Sequence, residues 1–259
     1  MQKNFFLNKI LPLCILLFFI KWFFFFNTKL EIDLLTKFIF EIKDWQYFTY
    51  IYNLSNFNFN PSYNPNLTEL KFIPLPIYSI LYHSIFFKFF NIYGFIILEF
   101  FIILLFFIIL FNFFTKLGIV KIESIFLTFF LFCVPNLIDY FQLYKINFLH
   151  IIGDLYNLRI PRPSISHLYL FSFFLLLISN KKNNELRSGQ LILIGLIFAL
   201  MWGSFYYNLA ISGITFIIYY LYLTHNSNQN FFTYLKDTFL VLVSFIFFSI
   251  PIILTILNS

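Results

Sequence analysis

Charge is what this chain has least room for. Only 11% of its 259 residues are Asp, Glu, Lys or Arg, against about 25% in an ordinary soluble domain. Apolar residues make up 61%, Phe alone accounts for 44, and the mean hydropathy is +0.85. That balance excludes a typical soluble domain. The two cysteines, Cys14 and Cys133, both lie in apolar segments, which argues against a disulfide or cysteine–metal framework. No Gly-rich phosphate loop, no H-E-x-x-H and no serine nucleophile elbow occurs. Short alternating strands are absent too, so nothing points to a β-barrel. The net charge of +6 is not gathered into a basic patch with interleaved aromatics, so no nucleic-acid partner is indicated.

What is present is a series of long apolar runs. They approach or reach the roughly 17–25 residues that cross a bilayer as a helix, and helices satisfy their own backbone in lipid. The fold class expected is therefore all-α: a polytopic helical bundle of about seven spans, near 10–26, 94–114, 122–140, 164–179, 191–203, 208–223 and 239–257. The first run is long for a signal peptide and lacks a small-residue cleavage site, so it reads as a retained span. The excess of Phe, Ile, Asn, Lys and Tyr is what A+T-rich codon usage yields. Phe stripes are accordingly read as lipid-facing or packing surface.

The short loops carry the basic residues: Lys3 and Lys9, then Lys116 and Lys121, then Lys181, Lys182 and Arg187. If each span crosses once, these fall on one side, which the positive-inside rule makes cytoplasmic. The N-terminus is then cytoplasmic and the protein sits in a bacterial inner membrane. A single membrane domain is expected, with 27–93 as a long external loop and 94–257 carrying the remaining spans. Within the loop, 30–52 has helical apolar spacing and lies along the membrane surface. Residues 72–90, opened by Pro74 and Pro76, read as a re-entrant or interfacial helix, because a further crossing would scatter the basic residues to both sides.

Two polar clusters fall on the external side. The first holds Glu41, Asp44, Tyr47 and Tyr50, and the second Asp154, Arg159, Arg162 and His167. Asp44 at the interface, partly desolvated, suits a general base; read blandly, it is a solvated charge balanced by Lys43. Glu99 lies inside the second apolar run, where an ionisable group costs about 2–3 kcal/mol or more and a role is the default expectation. A packing hydrogen bond is the plain alternative. Arg159 and Arg162, held by Pro161 and Pro163, suit bidentate grip of a phosphate; lipid anchoring is the competing reading. His167, one turn into a span, either meets substrate or is an ordinary satisfied helix histidine.

The stretch from Asp44-Trp45-Gln46-Tyr47 through 56–65, with the Tyr63-Asn64-Pro65 turn and then Ile73-Pro74-Leu75-Pro76, resembles the GT-C superfamily of integral-membrane glycosyltransferases. The likeness covers the first hundred or so residues and the span layout. It implies inverting transfer of a sugar from a polyprenyl-phosphate donor on the external leaflet. Asp44 would be the acid acting on the acceptor. Tyr47, Tyr63, Glu99, Arg159, Arg162 and His167 would contact substrate, with membrane lipid around them. Family members usually have more spans, so the resemblance implies a short or incomplete member. No organic cofactor is implied. The loop has no adjacent pair of acids, and a divalent metal stays open. A transporter or flippase and a non-catalytic assembly subunit are the other classes the composition allows.

Overall fold

The computed structural model describes residues 5–27, 46–58, 76–140, 164–179, 186–226 and 231–257. Among these the chain is wholly helical. A π-helical turn, Phe6–Ile10, leads into α1, Leu11–Asn27. Then come α2 (Gln46–Ser55), α3 (Ile77–Phe90), α4 (Tyr93–Lys116), α5 (Lys121–Tyr140), α6 (Ser164–Ser179), α7 (Ser188–Trp202), α8 (Tyr206–Asn226) and α9 (Phe231–Leu257). Two of them, α4 and the 232–254 portion of α9, are long and apolar enough to cross a membrane.

The ends of these helices follow local chemistry. Past α4, Gly118 takes φ +97°, a conformation side chains avoid. Ile119 N–H bonds the Phe114 carbonyl and Gly118 N–H that of Thr115, the paired bonds of a Schellman close. Pro76 stands just before α3, and α7 opens with the Arg187 N–H donating to the Gln190 side chain at 2.9 Å. Asn91, at φ 51°, makes the turn between α3 and α4, a conformation Asn tolerates.

The helices gather into two compact units. The first contains α1, α2, α3 from Ile80 onward, α4 and α5. Its core is one face of α4: Phe95, Leu98, Glu99, Ile102, Ile103, Phe106, Phe107 and Leu110 are buried at helical spacing. Ring contacts fix the directions. Phe5 lies 5.6 Å from Phe111 and Phe18 5.4 Å from Phe100, so α1 and α4 are antiparallel. Phe106 and Phe107 both meet Phe132 of α5. Lys121 stands over the Phe5 ring at 5.9 Å. Lys9, Lys116 and Lys121 therefore share one end of this unit.

Helix α3 folds back on the first half of α4. Phe87 meets Phe95, and Phe86 meets Phe101. At the turn, a Cβ on Gly94 would collide with the Phe86 carbonyl, so only glycine lets the two backbones approach this closely. With 14 residues, α3 is about 21 Å long, shorter than the roughly 30 Å hydrocarbon core.

The second unit contains the first turn of α3 and α6 to α9. Its most extensively packed pair is α7 with α9. Gly195, Ala199 and Gly203 recur every four residues along α7. At Gly195 an added Cβ would lie 2.7 Å from the Val241 carbonyl oxygen and 2.9 Å from Phe245 N. Small residues at this spacing let helix backbones touch, as in membrane helix pairs. Tyr78 ties the unit's end. Its N–H donates to the Gly203 carbonyl at 3.1 Å, and its hydroxyl donates to the Phe248 carbonyl at 2.8 Å. That second bond falls just before Pro251, whose missing N–H interrupts the α9 ladder.

The outward faces of α8 and α9 are strongly apolar. Ile214, Ile217, Ile218 and Leu221 on α8, and Phe239, Leu242, Ile246 and Phe247 on α9, are all exposed. A contiguous apolar surface of this kind marks a membrane or partner contact.

Candidate functional site

Three elements of the first unit converge on Phe95. Phe48 of α2 stacks on it, centroids 5.5 Å apart and planes within 17°. His83 of α3 lies 5.7 Å away. Phe87 closes the group edge-on. The elements that meet here also carry buried polar side chains. Tyr47 precedes Phe48 and is 5% exposed; His83 is 2% exposed; Glu99, one turn beyond Phe95 on the same face of α4, is 3% exposed. Ser84, also buried, donates its hydroxyl proton to the Ile80 carbonyl at 2.9 Å, a local helix bond.

Glu99 lies six residues into α4, about 9 Å along the axis from its start. That start is the end of the unit opposite Lys116 and Lys121. A carboxyl buried in such a helix is costly unless it is employed. Its oxygens can hold a hydroxyl or a cationic group.

The structure brings Tyr47 and Glu99 into one unit. His167 belongs to the other, on α6, 5% exposed and with its Nδ1 lacking a hydrogen-bond partner. Asp44, Tyr63, Arg159 and Arg162 lie outside the described residues. The expectation of a surface helix across 30–52 also falls mostly outside them; its last part is the start of α2. Sequence reasoning gave His83 no role. The signal available was its position in an apolar run beside Ser79 and Ser84, a polar stripe at helical spacing. Among the described residues, no three His, Cys, Asp or Glu side chains gather to hold a metal.

In the second unit a cavity of about 400 Å³ lies between α7 and α9. Leu196 and Leu200 flank it on one helix, Phe247 and Ile250 on the other, and Tyr78 also lines it. Its size is within the range of small-molecule sites. No protein-family model, curated protein or solved structure matches this chain.

Proposed function

We propose that this is a polytopic inner-membrane protein of about seven spans, with its N-terminus cytoplasmic. Its activity is transfer of a sugar from a polyprenyl-phosphate donor to an acceptor on the external face, after the manner of GT-C glycosyltransferases. The observation that carries the reading is Glu99, a buried carboxyl near the end of α4 remote from the lysines. The shared end of Lys9, Lys116 and Lys121 supports the orientation. The exposed apolar faces of α8 and α9 support contact with lipid.

The chemistry divides among few residues. The acceptor oxygen attacks the anomeric carbon as the bond from that carbon to the donor phosphate breaks. The electron pair leaves on the phosphate oxygen, where Arg159 and Arg162 neutralise it. The acceptor's proton passes to the Asp44 carboxylate. Glu99 and Tyr47 orient the sugar or the acceptor.

The test is isotope transfer from a labelled lipid-linked sugar in membranes. Asp44→Asn abolishes transfer while membrane abundance stays at the wild-type level. Undiminished transfer by that variant refutes the assignment. Passage of labelled donor across the bilayer with no new glycosidic bond would mark a flippase instead.

A further inference from the structure

The second unit holds a set of polar atoms that its own fold does not use. Ser204 in the α7–α8 turn, Asn208 one turn on in α8, and Ser249 in α9 are all nearly or wholly buried. Among the described residues, Ser204 Oγ, Asn208 Nδ2 and Ser249 Oγ find no hydrogen-bond partner. Several helix hydroxyls among the described residues behave differently. Ser84, Thr128, Ser172 and Ser244 each donate to the carbonyl four residues back. Ser249 also sits inside a helix with such a carbonyl in reach, and does not take it.

Ser204 and Ser249 are linked through Gly203, and Asn208 follows Ser204 by one helical turn. Gly203, next to Ser204, packs against Tyr78 and against Ile252. Ile252 is one turn beyond Ser249 on the buried side of α9. The apolar cavity shares that border, because Tyr78, Phe248, Ile250 and Pro251 line it. Tyr78 thus lines the apolar slot and also packs on Gly203, the neighbour of Ser204. The only polar side chain that lines the slot, the Tyr78 hydroxyl, is already given to the Phe248 carbonyl.

A buried polar group without a partner costs roughly 1–3 kcal/mol. Several together are retained where something else completes them. The group carries hydroxyls and an amide and no formal charge, so it matches hydroxyls rather than a phosphate or an ammonium.

We propose that this is a binding site for a neutral, hydroxyl-bearing amphiphile. The hydroxylated head meets Ser204, Asn208 and Ser249, and a short hydrocarbon part fills the slot between α7 and α9. The site rests on the proposed function only in that a membrane-borne glycoside is such an amphiphile.

The test uses the full chain in an amine-oxide detergent, whose headgroup bears no sugar hydroxyls. The probe is hexyl β-glucoside, with methyl β-glucoside and 1-hexanol as its two halves. Without probe, Ser249→Ala and Asn208→Leu each raise Tm by about 2–4 °C, because an unmatched polar group is gone. Hexyl glucoside raises wild-type Tm more than either half does, and both variants weaken its binding about tenfold or more.

Lower Tm in both probe-free variants would overturn the proposal, since the atoms would then be satisfied inside the fold. An equal shift in wild type and variants would overturn it as well, as would 1-hexanol reproducing the whole shift. Stability is read here, not transfer. A failure therefore leaves the glycosyltransferase reading standing, and a failed transfer assay leaves this site standing.

Discussion

Gly195→Ala adds a single methyl group, and the structure states what it meets. The new carbon would lie 2.5 Å from Ser244 Cβ, 2.7 Å from the Val241 carbonyl oxygen and 2.9 Å from Phe245 N. Ordinary contacts are about 3.5–4.0 Å, so α7 and α9 must part by roughly 1 Å. Two of the three obstacles are backbone, which cannot rotate aside. Overpacking of this kind costs about 1–3 kcal/mol. Alanine returns up to about 1 kcal/mol of helix propensity. The net loss, up to about 2 kcal/mol, lowers Tm by up to about 8 °C in a chain of this size. Gly213→Ala is the matched control. It lies in α8 with nothing within 4 Å of the added carbon, so propensity alone acts and Tm rises by about 2–4 °C. Thermal unfolding in detergent, followed by far-UV circular dichroism, measures both. A Gly195→Ala protein stabilised as much as Gly213→Ala would refute the close approach of α7 and α9.

Three further expectations can be checked the same way. Tyr78→Phe removes the 2.8 Å bond to the Phe248 carbonyl and costs about 0.5–1.5 kcal/mol; an unchanged Tm would contradict the tie. Gly94→Ala places a carbon against the Phe86 carbonyl and costs about 1–3 kcal/mol, read as lower Tm and faster proteolysis at the α3–α4 turn; neither change would refute that packing. Lys88 Nζ stands 3.6 Å from the Phe57 ring centre, so a double-mutant cycle with Lys88→Ala and Phe57→Ala gives a coupling of about 0.5–1 kcal/mol, and coupling near zero would dismiss the contact.

The helices were legible in the sequence wherever hydropathy alone makes them. The run 164–179 coincides with α6, and 94–114 and 122–140 fall within α4 and α5. The gap between the expected spans 191–203 and 208–223 holds the α7–α8 turn. Helix α9 begins two turns before the apolar run at 239, because Tyr234, Lys236 and Asp237 form an amphipathic turn that hydropathy averages away. The site was less legible. Glu99 stood out because an ionisable group in an apolar run is costly. His83 did not, since only its partner helix reveals that it faces Phe95. Tyr78 carried no signal, because its hydroxyl reaches a carbonyl 170 positions along the chain. The unpartnered state of Ser249 is a property of packing, which residue order does not encode.

The functional account depends first on the first unit crossing the membrane with its α3–α4 turn outside. Asn56, just past α2, and Asn91, in that turn, are exposed, and Lys88 over Phe57 joins the two regions at one end. Lys116 and Lys121 mark the other end. The deciding measurement places single cysteines at Asn56, Asn91, Lys116 and Lys121 in a background with Cys14 and Cys133 replaced by serine, and labels intact cells with a membrane-impermeant thiol reagent. The account predicts label at Asn56 and Asn91, and label at Lys116 and Lys121 only after the membrane is opened. Label at both ends in intact cells, or at the lysine end alone, would contradict it.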